Sequence, residues 1–456
     1  MAIESDVLVV GGGLAGTTAA IAARRTGADV RLLSHKKSTL RQASGLIDAL
    51  GYAPSRPAAP VGSGTVTQER TDVERLKADR GSYAGPFVSP YDGFEELPED
   101  HPYRIVGPEA LRDGLAVFDS ITETYEGSHT EANALVPTFG GRLKPTARYP
   151  TATAAGLGSD ERSMLVVGFR SLSDFDATVV ADRLAAAAVP FDVAGIEVEF
   201  AEAFRADAKI TRFAKALDHD EAIDGTPARE ALADAVKRGL YDAETEITDP
   251  GRIGFPAFLG DDEATAVRAE LSDRLGSDIF EIPMGPPSLP GLRLEDRLYA
   301  ALGEEGVRYE TGNPVVGYEA ADGRIETVLV DRKGRNVPYG ADSVVLATGG
   351  LVGKGLDSDR EGVREPVFDC HVPHPEDRYE WFRTDALDDQ PYARFGVVVD
   401  DALRPLDPND DPEFDNLHAA GAVVGGADVA REKSASGVSL ATGVTAGRAA
   451  ATEANR

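Results

Sequence analysis

A glycine-rich turn near the N-terminus places the strongest constraint on how this chain can fold. Gly11, Gly13 and Gly16 form a G-x-G-x-x-G pattern between the apolar residues 6–10 and the alanine-rich residues 14–25. In a strand–turn–helix unit the first glycine permits a tight bend, the second lets the backbone approach a phosphate, and the third permits close helix–strand packing. The pattern therefore predicts a nucleotide-binding turn with phosphate at the start of the helix. A flexible turn without a ligand is the alternative.

The second strand of this predicted βαβ unit lacks the terminal acid that usually holds an adenosine ribose. Residues 30–33 are apolar, and Ser34 stands where the acid is expected, followed by His35, Lys36 and Lys37. One interpretation is that serine or water meets the ribose hydroxyls. The other is that the cofactor is a mononucleotide, whose single phosphate the basic cluster helps to neutralise.

A second glycine turn lies in the C-terminal half of the chain. Thr348, Gly349 and Gly350 belong to an ATGG segment that follows the predicted strand 343–346. Glycines here allow the backbone to run close beneath a cofactor. The segment is short enough to occur by chance. It supports a cofactor site only together with the other two turns, in this order along the chain.

A third glycine turn is followed by a predicted final helix. Gly421 lies in NLHAAGAVVGG at 416–426, and SASGVSLATG at 434–443 predicts a helix beginning near Gly437 and Val438. Free amide groups at a helix start would suit the negative charge that develops on a reduced flavin. The alternative is a helix of small residues that serves only packing.

Charge argues against nucleic acid as a partner. The chain carries 77 acidic and 47 basic residues, for a formal net charge of −30, and only ten of the basic residues are lysine. Phosphate backbones are bound by basic surfaces. An acidic, lysine-poor surface instead suits a salt-rich cytoplasm, which predicts a halophilic protein; an ordinary acidic enzyme is the alternative.

Cysteine content and hydropathy limit the cofactors and the location that we expect. Cys370 is the single cysteine, so the chain alone forms no internal disulfide and holds no cysteine-ligated iron–sulfur cluster. The N-terminus enters a strand without a secretory signal pattern, and no apolar run approaches the roughly 20 residues that cross a bilayer. We therefore expect a cytoplasmic protein that reaches a membrane only through a partner.

The pattern of elements predicts an α/β fold of the Rossmann type that binds FAD or NAD(P), with a parallel central sheet, a small antiparallel meander and an inserted substrate or cap domain. Asp322-Gly323 and Lys333-Gly334 mark hairpin tips in the meander. The predicted boundaries are 1–50 for the first part of the dinucleotide-binding domain, 51–104 for a loop-rich excursion, 105–305 for the mixed α/β cap, 306–350 for the return to the first domain, 351–394 for an acidic loop region, and 395–456 for the C-terminal part.

Two arginines are candidates for binding an anionic substrate. Arg293 and Arg297 follow a PPSLPG loop. A guanidinium group suits phosphate or carboxylate. The alternative is that both pair with Glu295 and Asp296 at a solvated helix start. The sequence identifies no general base.

Two histidines in the segment CHVPHP invite a metal interpretation. His371 and His374 are three residues apart, but a proline separates them and no further ligand is evident. We expect surface loop histidines and no bound metal. Cys370 beside them is expected to be inert.

Five segments carry a resemblance to a known family. They are VVGGGLAGTTAAIAARRTGADVRLL, RQASGLIDAL at 41–50, IPMGPPSLPGLRLEDRL at 282–298, and GVVVDDALRP with NLHAAGAVVGG. The sequence resembles the two-dinucleotide-binding flavoproteins and, more narrowly, the B subunits of anaerobic glycerol-3-phosphate dehydrogenases. With the acidic composition, this indicates a haloarchaeal member. The acidic loops near 85–105 and 355–390 are not covered.

The resemblance implies an activity, a cofactor and partners. Complexes of that family oxidise sn-glycerol 3-phosphate to dihydroxyacetone phosphate and pass electrons toward quinone through an FAD-containing A-type subunit and an iron–sulfur C-type subunit that reaches the membrane. The B-type subunit is associated with FMN, in agreement with Ser34; FAD is the alternative. An acid often found after the AAG turn is replaced by Ala422. The implied cofactor contacts are Gly11, Gly13, Gly16, Ser34, Ser44, Gly45, Thr348, Gly349, Gly350, Gly421, Gly437 and Val438.

Two other functions remain open from the sequence. One is a stand-alone FAD-dependent oxidoreductase that acts on another small anion without partners. The other is a non-catalytic flavoprotein scaffold or electron relay, which the lack of an evident base favours. The identity of the bound flavin separates these functions.

Overall fold

The structure, a computed structural model, describes residues 2–35, 38–54, 83–200, 209–243, 245–385 and 389–456. Lys36 and Lys37 of the predicted basic cluster, and residues 55–82 of the predicted excursion, lie outside the described residues. The chain forms two compact units. The first contains Met1–Thr39, Asp48–Glu123 and Arg297–Arg456, and the second contains Leu40–Ile47 and Thr124–Asp296. The domain boundaries given above stay predictions.

The described strands and helices follow in chain order. The strands are β1 (Ile3–Val10), β2 (Val30–Ser34), β3 (Ala53–Pro54), β4 (Tyr83–Ala84), β5 (Tyr125–Glu126), β6 (Ala134–Pro137), β7 (Leu143–Thr146), β8 (Tyr149–Pro150), β9 (Met164–Phe169), β10 (Val193–Val198), β11 (Ala222–Ile223), β12 (Thr226–Pro227), β13 (Arg252–Pro256), β14 (Asp278–Ile282), β15 (Arg308–Thr311), β16 (Val315–Ala321), β17 (Arg324–Asp331), β18 (Asn336–Leu346), β19 (Asp357–Ser358), β20 (Val363–Arg364) and β21 (Leu417–Ala419). The helices are α1 (Leu14–Arg25), α2 (Pro102–Ile121), α3 (Ala177–Ala186), α4 (Ile210–Asp218), α5 (Ala228–Asp242), α6 (Ala264–Leu275), α7 (Leu289–Glu304), α8 (Val429–Glu432) and α9 (Ala435–Ala454).

The first unit is built around a mixed sheet with a parallel centre. β1 lies between β2 and β18, and all three strands run parallel. β15 continues the sheet beyond β2, and β21 pairs with β18, again in parallel. β16, β17 and β18 form an antiparallel meander. These are the parallel central sheet and the small meander that the sequence predicted.

The meander has the predicted hairpin tips. The chain turns at Asp322 and Gly323, whose φ angles are 52° and 75°, and again at Lys333 and Gly334, at 55° and 82°. Positive φ at both central positions is the geometry that matches the twist of the flanking strands. The prediction of these two turns from Asp-Gly and Lys-Gly is confirmed.

Small residues let α9 pack closely along α1. The Cβ position of Gly443 lies 2.7 Å from the carbonyl oxygen of Ala15, and a Cβ atom on Gly447 would clash with the carbonyl oxygen of Ala19. Both alanines are buried. This part of α9 therefore packs against α1 through its glycines, and the cofactor role of the helix start stays a prediction.

The second unit has a parallel sheet of its own. Its four strands are ordered β10, β9, β13, β14, and Phe169, Phe255 and Phe280 lie in its core. Arg252 is fully buried there, and its guanidinium group donates to the carbonyl oxygens of four residues, Ala155, Leu157, Asp160 and Arg162. Burial lowers the pKa of Arg252 to about 10. The four carbonyl oxygens accept the hydrogen bonds that water would otherwise accept from this buried cation.

Within the described ranges, no helix is both long enough and apolar enough to cross a membrane. The longest are α2 and α9, each of 20 residues. α9 contains several glycines as well as Arg448 and Glu453, and α2 bends at Gly107.

The packing of α1 against α9 gives a prediction for a pair of helical glycines. Gly447→Ala should lower the free energy of unfolding by about 1–3 kcal/mol, because the added methyl group overlaps with backbone of α1. Gly303→Ala in α7, whose Cβ position has no described neighbour within 4 Å, should raise it by about 0.5–1 kcal/mol. Thermal and denaturant unfolding in concentrated KCl measures both. Equal effects of the two variants would contradict the packing described.

Candidate functional site

Four parallel strands end side by side at one edge of the first unit's sheet. Val10, the last residue of β1, pairs with Leu33 of β2 and with Leu346 at the end of β18. Leu346 pairs in turn with Ala419, the last residue of β21. The segments that follow these strands therefore leave the sheet at the same level. Carboxyl ends of parallel strands are where open α/β sheets bind ligands.

The turn after β1 packs directly against the turn after β18. Gly11 has a φ of +126°, and a Cβ atom on it would clash with the carbonyl oxygen of Ala347. Gly16, in the first turn of α1, lies equally close to the carbonyl oxygen of Gly11. Only glycine fits at these two positions without a shift of backbone. The first and third glycines of the pattern are therefore required by the contact between the turns.

Open space and an unpaired hydroxyl group lie beside this contact. Gly13 is the N-cap of α1, without a side-chain cap, and no described heavy atom lies within 4 Å of its Cβ position. Gly349 has a φ of +89°, and among the described residues only Gly353 lies within 4 Å of its Cβ position. The Thr348 hydroxyl is buried and has no hydrogen-bond partner among the described residues. An uncapped helix start and an unsatisfied hydroxyl are groups that a bound phosphate or carbonyl would satisfy.

The turn after β21 contacts both of the others. Gly421, with a φ of +76°, has its Cβ position 2.7 Å from the Cβ atom of Ala15 in α1. Its amide donates to the hydroxyl of Thr442 in α9 at 2.8 Å. The Cβ position of Gly350 lies 2.7 Å from the carbonyl oxygen of Ala422. The structure thus brings the three predicted glycine turns together.

The start of the final helix differs from the expectation of free amide groups near Gly437. α9 begins two residues earlier, and the amides of Ser436 and Gly437 donate to Asp48, to its carboxylate at 2.8 Å and to its carbonyl oxygen at 2.7 Å. Gly437 also packs against Tyr103, whose hydroxyl would clash with a Cβ atom. Val438 is buried. A flavin carbonyl would have to share these donors with Asp48, and the role of Gly437 and Val438 as cofactor contacts stays a prediction.

A buried histidine–glutamate pair supports the segment that leads into α9. Nδ1 of His101 accepts from the amide of Tyr103 at 3.0 Å, so the ring proton lies on Nε2 and donates to Glu432 at 3.1 Å. Glu432 also accepts from the Ser434 hydroxyl and from the Asp428 amide. Burial raises the pKa of Glu432, but the hydrogen bonds outweigh it and hold the pKa below its ordinary value. No sequence pattern indicates this pair, because its members are 331 residues apart.

Ser34 lies at the end of β2, as predicted, and is buried. Its Oγ atom is 2.8 Å from the Cβ position of Gly12, beside the hydroxyl of Tyr299. That hydroxyl donates to the carbonyl oxygen of Gly12 at 3.3 Å. His35, the next residue, is exposed. Two uncharged hydroxyl groups therefore stand where an acid is usual in such folds.

Ser44 and Gly45 belong to the second unit. Gly45 has a φ of +75°, and its Cβ position lies 2.6 Å from the Cβ atom of Pro290. Its carbonyl oxygen accepts from the Tyr125 hydroxyl at 2.7 Å. Ser44 accepts from the amide of Leu46. These contacts explain the loop conformation, and the role of both residues as cofactor contacts stays a prediction.

Arg293 forms an ion pair with a buried glutamate. Its terminal nitrogens donate to both carboxylate oxygens of Glu281, at 2.6 and 3.1 Å, and to the carbonyl oxygen of Gly260. Glu281 is buried. Glu295, the alternative partner from the sequence, instead pairs with Arg41. The charge of Arg293 is therefore compensated within its own unit.

Arg297 pairs with a carboxylate on its own helix. Two of its nitrogens donate to the two carboxylate oxygens of Glu304, at 2.7 Å each, and Nε donates to the carbonyl oxygen of Ile121. This is a surface arrangement on α7, since over half of the Glu304 side chain is exposed. A substrate role for Arg293 or Arg297 stays a prediction, and it would require displacing these partners.

The CHVPHP segment has no described metal site. His371 is exposed. The ring of His374 is hydrogen-bonded to the backbone of Val372 and Val363. Cys370 is buried, and burial raises the pKa of its thiol above its ordinary value. No group of three or more potential ligands is found among the residues with described positions. Both histidines lie in loops, as the sequence predicted.

Comparisons with known proteins agree with this geometry. Residues 6–438 match the family described as FAD binding domain. A protein of Halobacterium salinarum (strain R1), named as a probable B subunit of anaerobic glycerol-3-phosphate dehydrogenase, is 52% identical over 455 residues, 99% of this chain and 99% of that protein. A Vibrio cholerae protein (strain O395), named as the B subunit of the same enzyme, is 28% identical over 448 residues, 96% of this chain and 94% of that protein. The chain belongs to the family of anaerobic glycerol-3-phosphate dehydrogenase B subunits.

Among solved structures, an open flavocytochrome c3 fumarate reductase aligns with 100% of this chain and 79% of its own, at 14% identity and a TM-score of 0.44. This similarity is too low to carry a functional argument.

Membership of this family makes the chain a flavoprotein oxidoreductase subunit with the α/β fold that the sequence predicted. The halophilic character inferred from composition agrees with the haloarchaeal relative. The expectation of FMN is not supported, because the matching family is described by FAD. That expectation comes from the family resemblance, with which the missing acid at Ser34 agrees. In the structure, the hydroxyls of Ser34 and Tyr299 lie together beside Gly12.

The open position at Gly13 gives a prediction that separates folding from flavin binding. Gly13→Asp should fold, because its Cβ position is open, its φ is −80°, and aspartate is a good N-cap. Its carboxylate should weaken FAD binding by about tenfold or more, because it occupies and repels the phosphate position. Flavin titration by fluorescence and thermal unfolding measure both properties. Gly13→Ala should weaken FAD binding less than Gly13→Asp, because it adds a methyl group at the phosphate approach but no charge. Gly303→Ala is the control and should bind FAD as the unmodified chain does; equal binding by Gly13→Asp and the unmodified chain would contradict the site.

The His101–Glu432 pair gives a prediction for stability against pH. Glu432→Gln should lower the free energy of unfolding at pH 7 by about 1–3 kcal/mol, since a buried hydrogen-bonded carboxylate is lost. Because the folded-state pKa of Glu432 is depressed, its contribution is present above the unfolded-state pKa and is lost as pH falls through the folded-state pKa. The difference between the two proteins should therefore shrink on acidification. Glu304→Gln, at an exposed carboxylate, is the control and should change little; a pH-independent difference would contradict this prediction.

Proposed function

We propose that this chain is the flavin-binding B-type subunit of an anaerobic glycerol-3-phosphate dehydrogenase complex, which oxidises sn-glycerol 3-phosphate to dihydroxyacetone phosphate. The observation that carries the proposal is the meeting of three glycine turns at the carboxyl edge of the parallel sheet. It is supported by 52% identity over 99% of the chain to a protein named as that type of subunit.

FAD is the cofactor of this proposal. The uncapped start of α1 at Gly13 would receive the pyrophosphate, where free amides and the helix dipole favour negative charge. The hydroxyls of Ser34 and Tyr299 would face the ribose. The Thr348 hydroxyl, unpaired in the described part of the chain, would gain a partner in the bound flavin. These groups all lie on or beside the turns that leave the carboxyl edge of the sheet.

The chemistry of alcohol oxidation divides between the cofactor and the chain. Bound FAD would supply the acceptor for a hydride from the carbon that carries the hydroxyl, and the hydroxyl proton would pass to solvent water. The contribution of the chain is positioning. Because Gly11 and Gly16 are held by backbone contacts with Ala347 and with each other, the amide end of α1 is already oriented before a phosphate arrives.

Partners are required for the onward transfer of electrons. Cys370 is the single cysteine and is buried, so cysteine-ligated clusters must come from another subunit. We propose an FAD-containing A-type subunit and an iron–sulfur C-type subunit, with quinone as the final acceptor. The complex would lie at the cytoplasmic face of the membrane, with contact made through a partner.

The test of this proposal uses the chain purified alone and co-expressed with the two partner subunits, in concentrated KCl. We expect FAD, identified by chromatography after release, and oxidation of sn-glycerol 3-phosphate only by the assembled complex. Gly13→Asp in the complex should lose that activity together with its FAD, and Gly303→Ala should keep it.

Other outcomes would replace the proposal with the alternatives from the sequence. Turnover by the chain alone with a different small anion would favour a stand-alone FAD-dependent oxidoreductase. A colourless chain that refuses added FAD and FMN would favour a scaffold. Release of FMN would restore the cofactor that the resemblance implied.

A further inference from the structure

An arginine and a tyrosine in the first unit are stacked, yet each keeps an unpaired polar atom within the described part of the chain. The guanidinium carbon of Arg431 lies over the ring of Tyr83, 4.5 Å from its centroid. The Tyr83 hydroxyl and Nη1 of Arg431 are both buried, and neither has a hydrogen-bond partner among the described residues. A buried donor without a hydrogen-bond partner destabilises the folded chain, so two such atoms on a stacked pair of side chains require an explanation.

The neighbouring acids do not satisfy these two groups. Asp389 is engaged by Arg394, which donates to both of its carboxylate oxygens at 3.1 and 2.5 Å. Nη1 of Arg431 is 3.7 Å from the nearer of those oxygens, too far for a hydrogen bond. Asp428 accepts from the backbone amide of Arg431 at 3.1 Å and not from its guanidinium group. The charge of Arg431 is therefore only partly compensated.

The chemistry of the two unpaired groups selects their ligand. Burial, with Asp428 adding to it, raises the pKa of Tyr83 to about 12, so its phenol is protonated at neutral pH and can donate. The guanidinium group only donates. A phenol and a guanidinium side by side therefore suit an acceptor that carries negative charge, which is an oxyanion.

The pair lies in the same unit as the candidate flavin site, in segments that lead into α9. Arg431 is in α8, which leads through Ser434 into α9. The carbonyl oxygen of Glu432, the next residue, accepts from the amides of Gly51 and Tyr52, just before β3. β3 pairs with β4, which carries Tyr83. The pair thus belongs to the same unit as the three glycine turns.

We propose that Tyr83 and Arg431 form an oxyanion subsite that binds the phosphate group of the substrate. This inference rests on the proposed oxidation of glycerol 3-phosphate. The same phosphate chemistry is present in the pyrophosphate of FAD, so the experiment must separate substrate from cofactor.

The experiment measures two affinities on the flavin-loaded full chain and its variants. Calorimetry in concentrated KCl gives the affinity for sn-glycerol 3-phosphate and for inorganic phosphate, with glycerol as the uncharged comparison. Tyr83→Phe should lower the affinity for both anions by about tenfold, and Arg431→Gln should lower it by about tenfold to a hundredfold. Arg431→Lys should recover part of the loss, because charge is kept while the fork of donors is lost. FAD content should be unchanged in all three.

Thermal stability separates a binding role of Tyr83 from a structural role. Tyr83→Phe removes a hydroxyl without a described partner, so the thermal midpoint should stay the same or rise while anion affinity falls. The matched control is Arg378 and Tyr379, an exposed pair whose guanidinium lies 5.7 Å from the ring centroid. Tyr379→Phe and Arg378→Gln should leave both affinities unchanged.

The outcomes distinguish this inference from the proposed function. Unchanged affinity for both anions in Tyr83→Phe and Arg431→Gln would overturn the subsite. Loss of FAD with unchanged anion affinity would also overturn it, in favour of a cofactor contact. If the unmodified chain binds inorganic phosphate through these residues but neither binds nor oxidises sn-glycerol 3-phosphate within its complex, the oxyanion subsite stands and the proposed function fails.

Discussion

The contact between Gly11 and the carbonyl oxygen of Ala347 is the constraint from which the candidate site follows. It places the turn after β1 against the turn after β18, at the level where Val10 and Leu346 end their strands. Gly16 then brings the start of α1 over the same turn. Because these approaches are made by backbone and not by side chains, the shape of the turn is fixed by the fold before any ligand binds. A larger residue at either glycine would separate the strand ends and remove the site together with the packing.

Local patterns in the sequence predicted the elements that are built from neighbouring residues. The βαβ unit, the two hairpin tips and the three glycine turns all follow from spacing within short segments, and the structure contains them. The buried pair of His101 and Glu432 was missed, because it joins residues 331 apart that no short pattern connects. The same limit applies to Asp48. A sequence suggests that a helix start near Gly437 has free amides, but it does not reveal that a distant carboxylate and carbonyl already accept from them.

The choice between FMN and FAD shows how a correct observation at one residue can support the wrong cofactor. Ser34 does replace the usual acid at the end of β2, and the structure places it there. From the sequence alone, the loss of that acid suggests a mononucleotide. Tyr299, from α7, supplies a second hydroxyl beside Gly12. A ribose can be met by two neutral hydroxyls as well as by one carboxylate, so the missing acid does not exclude an adenosine.

Hydrogen-bond satisfaction separates arginines that hold the fold from arginines available to a ligand. From the sequence, Arg293 and Arg297 after the PPSLPG loop can equally bind an anion or pair with nearby acids. In the structure both have carboxylate partners in their own unit. Arg431 has no such sequence context. Its Nη1 atom is buried and has no described hydrogen-bond partner, with Asp389 3.7 Å away, and the stacked Tyr83 hydroxyl also lacks a hydrogen-bond partner. Replacing a satisfied pair by a ligand gains little, because one set of hydrogen bonds is exchanged for another. An anion that accepts from two unsatisfied donors removes the desolvation cost that these donors carry in the unliganded chain. Binding therefore gains more free energy at Tyr83 and Arg431 than at arginines that already have carboxylate partners.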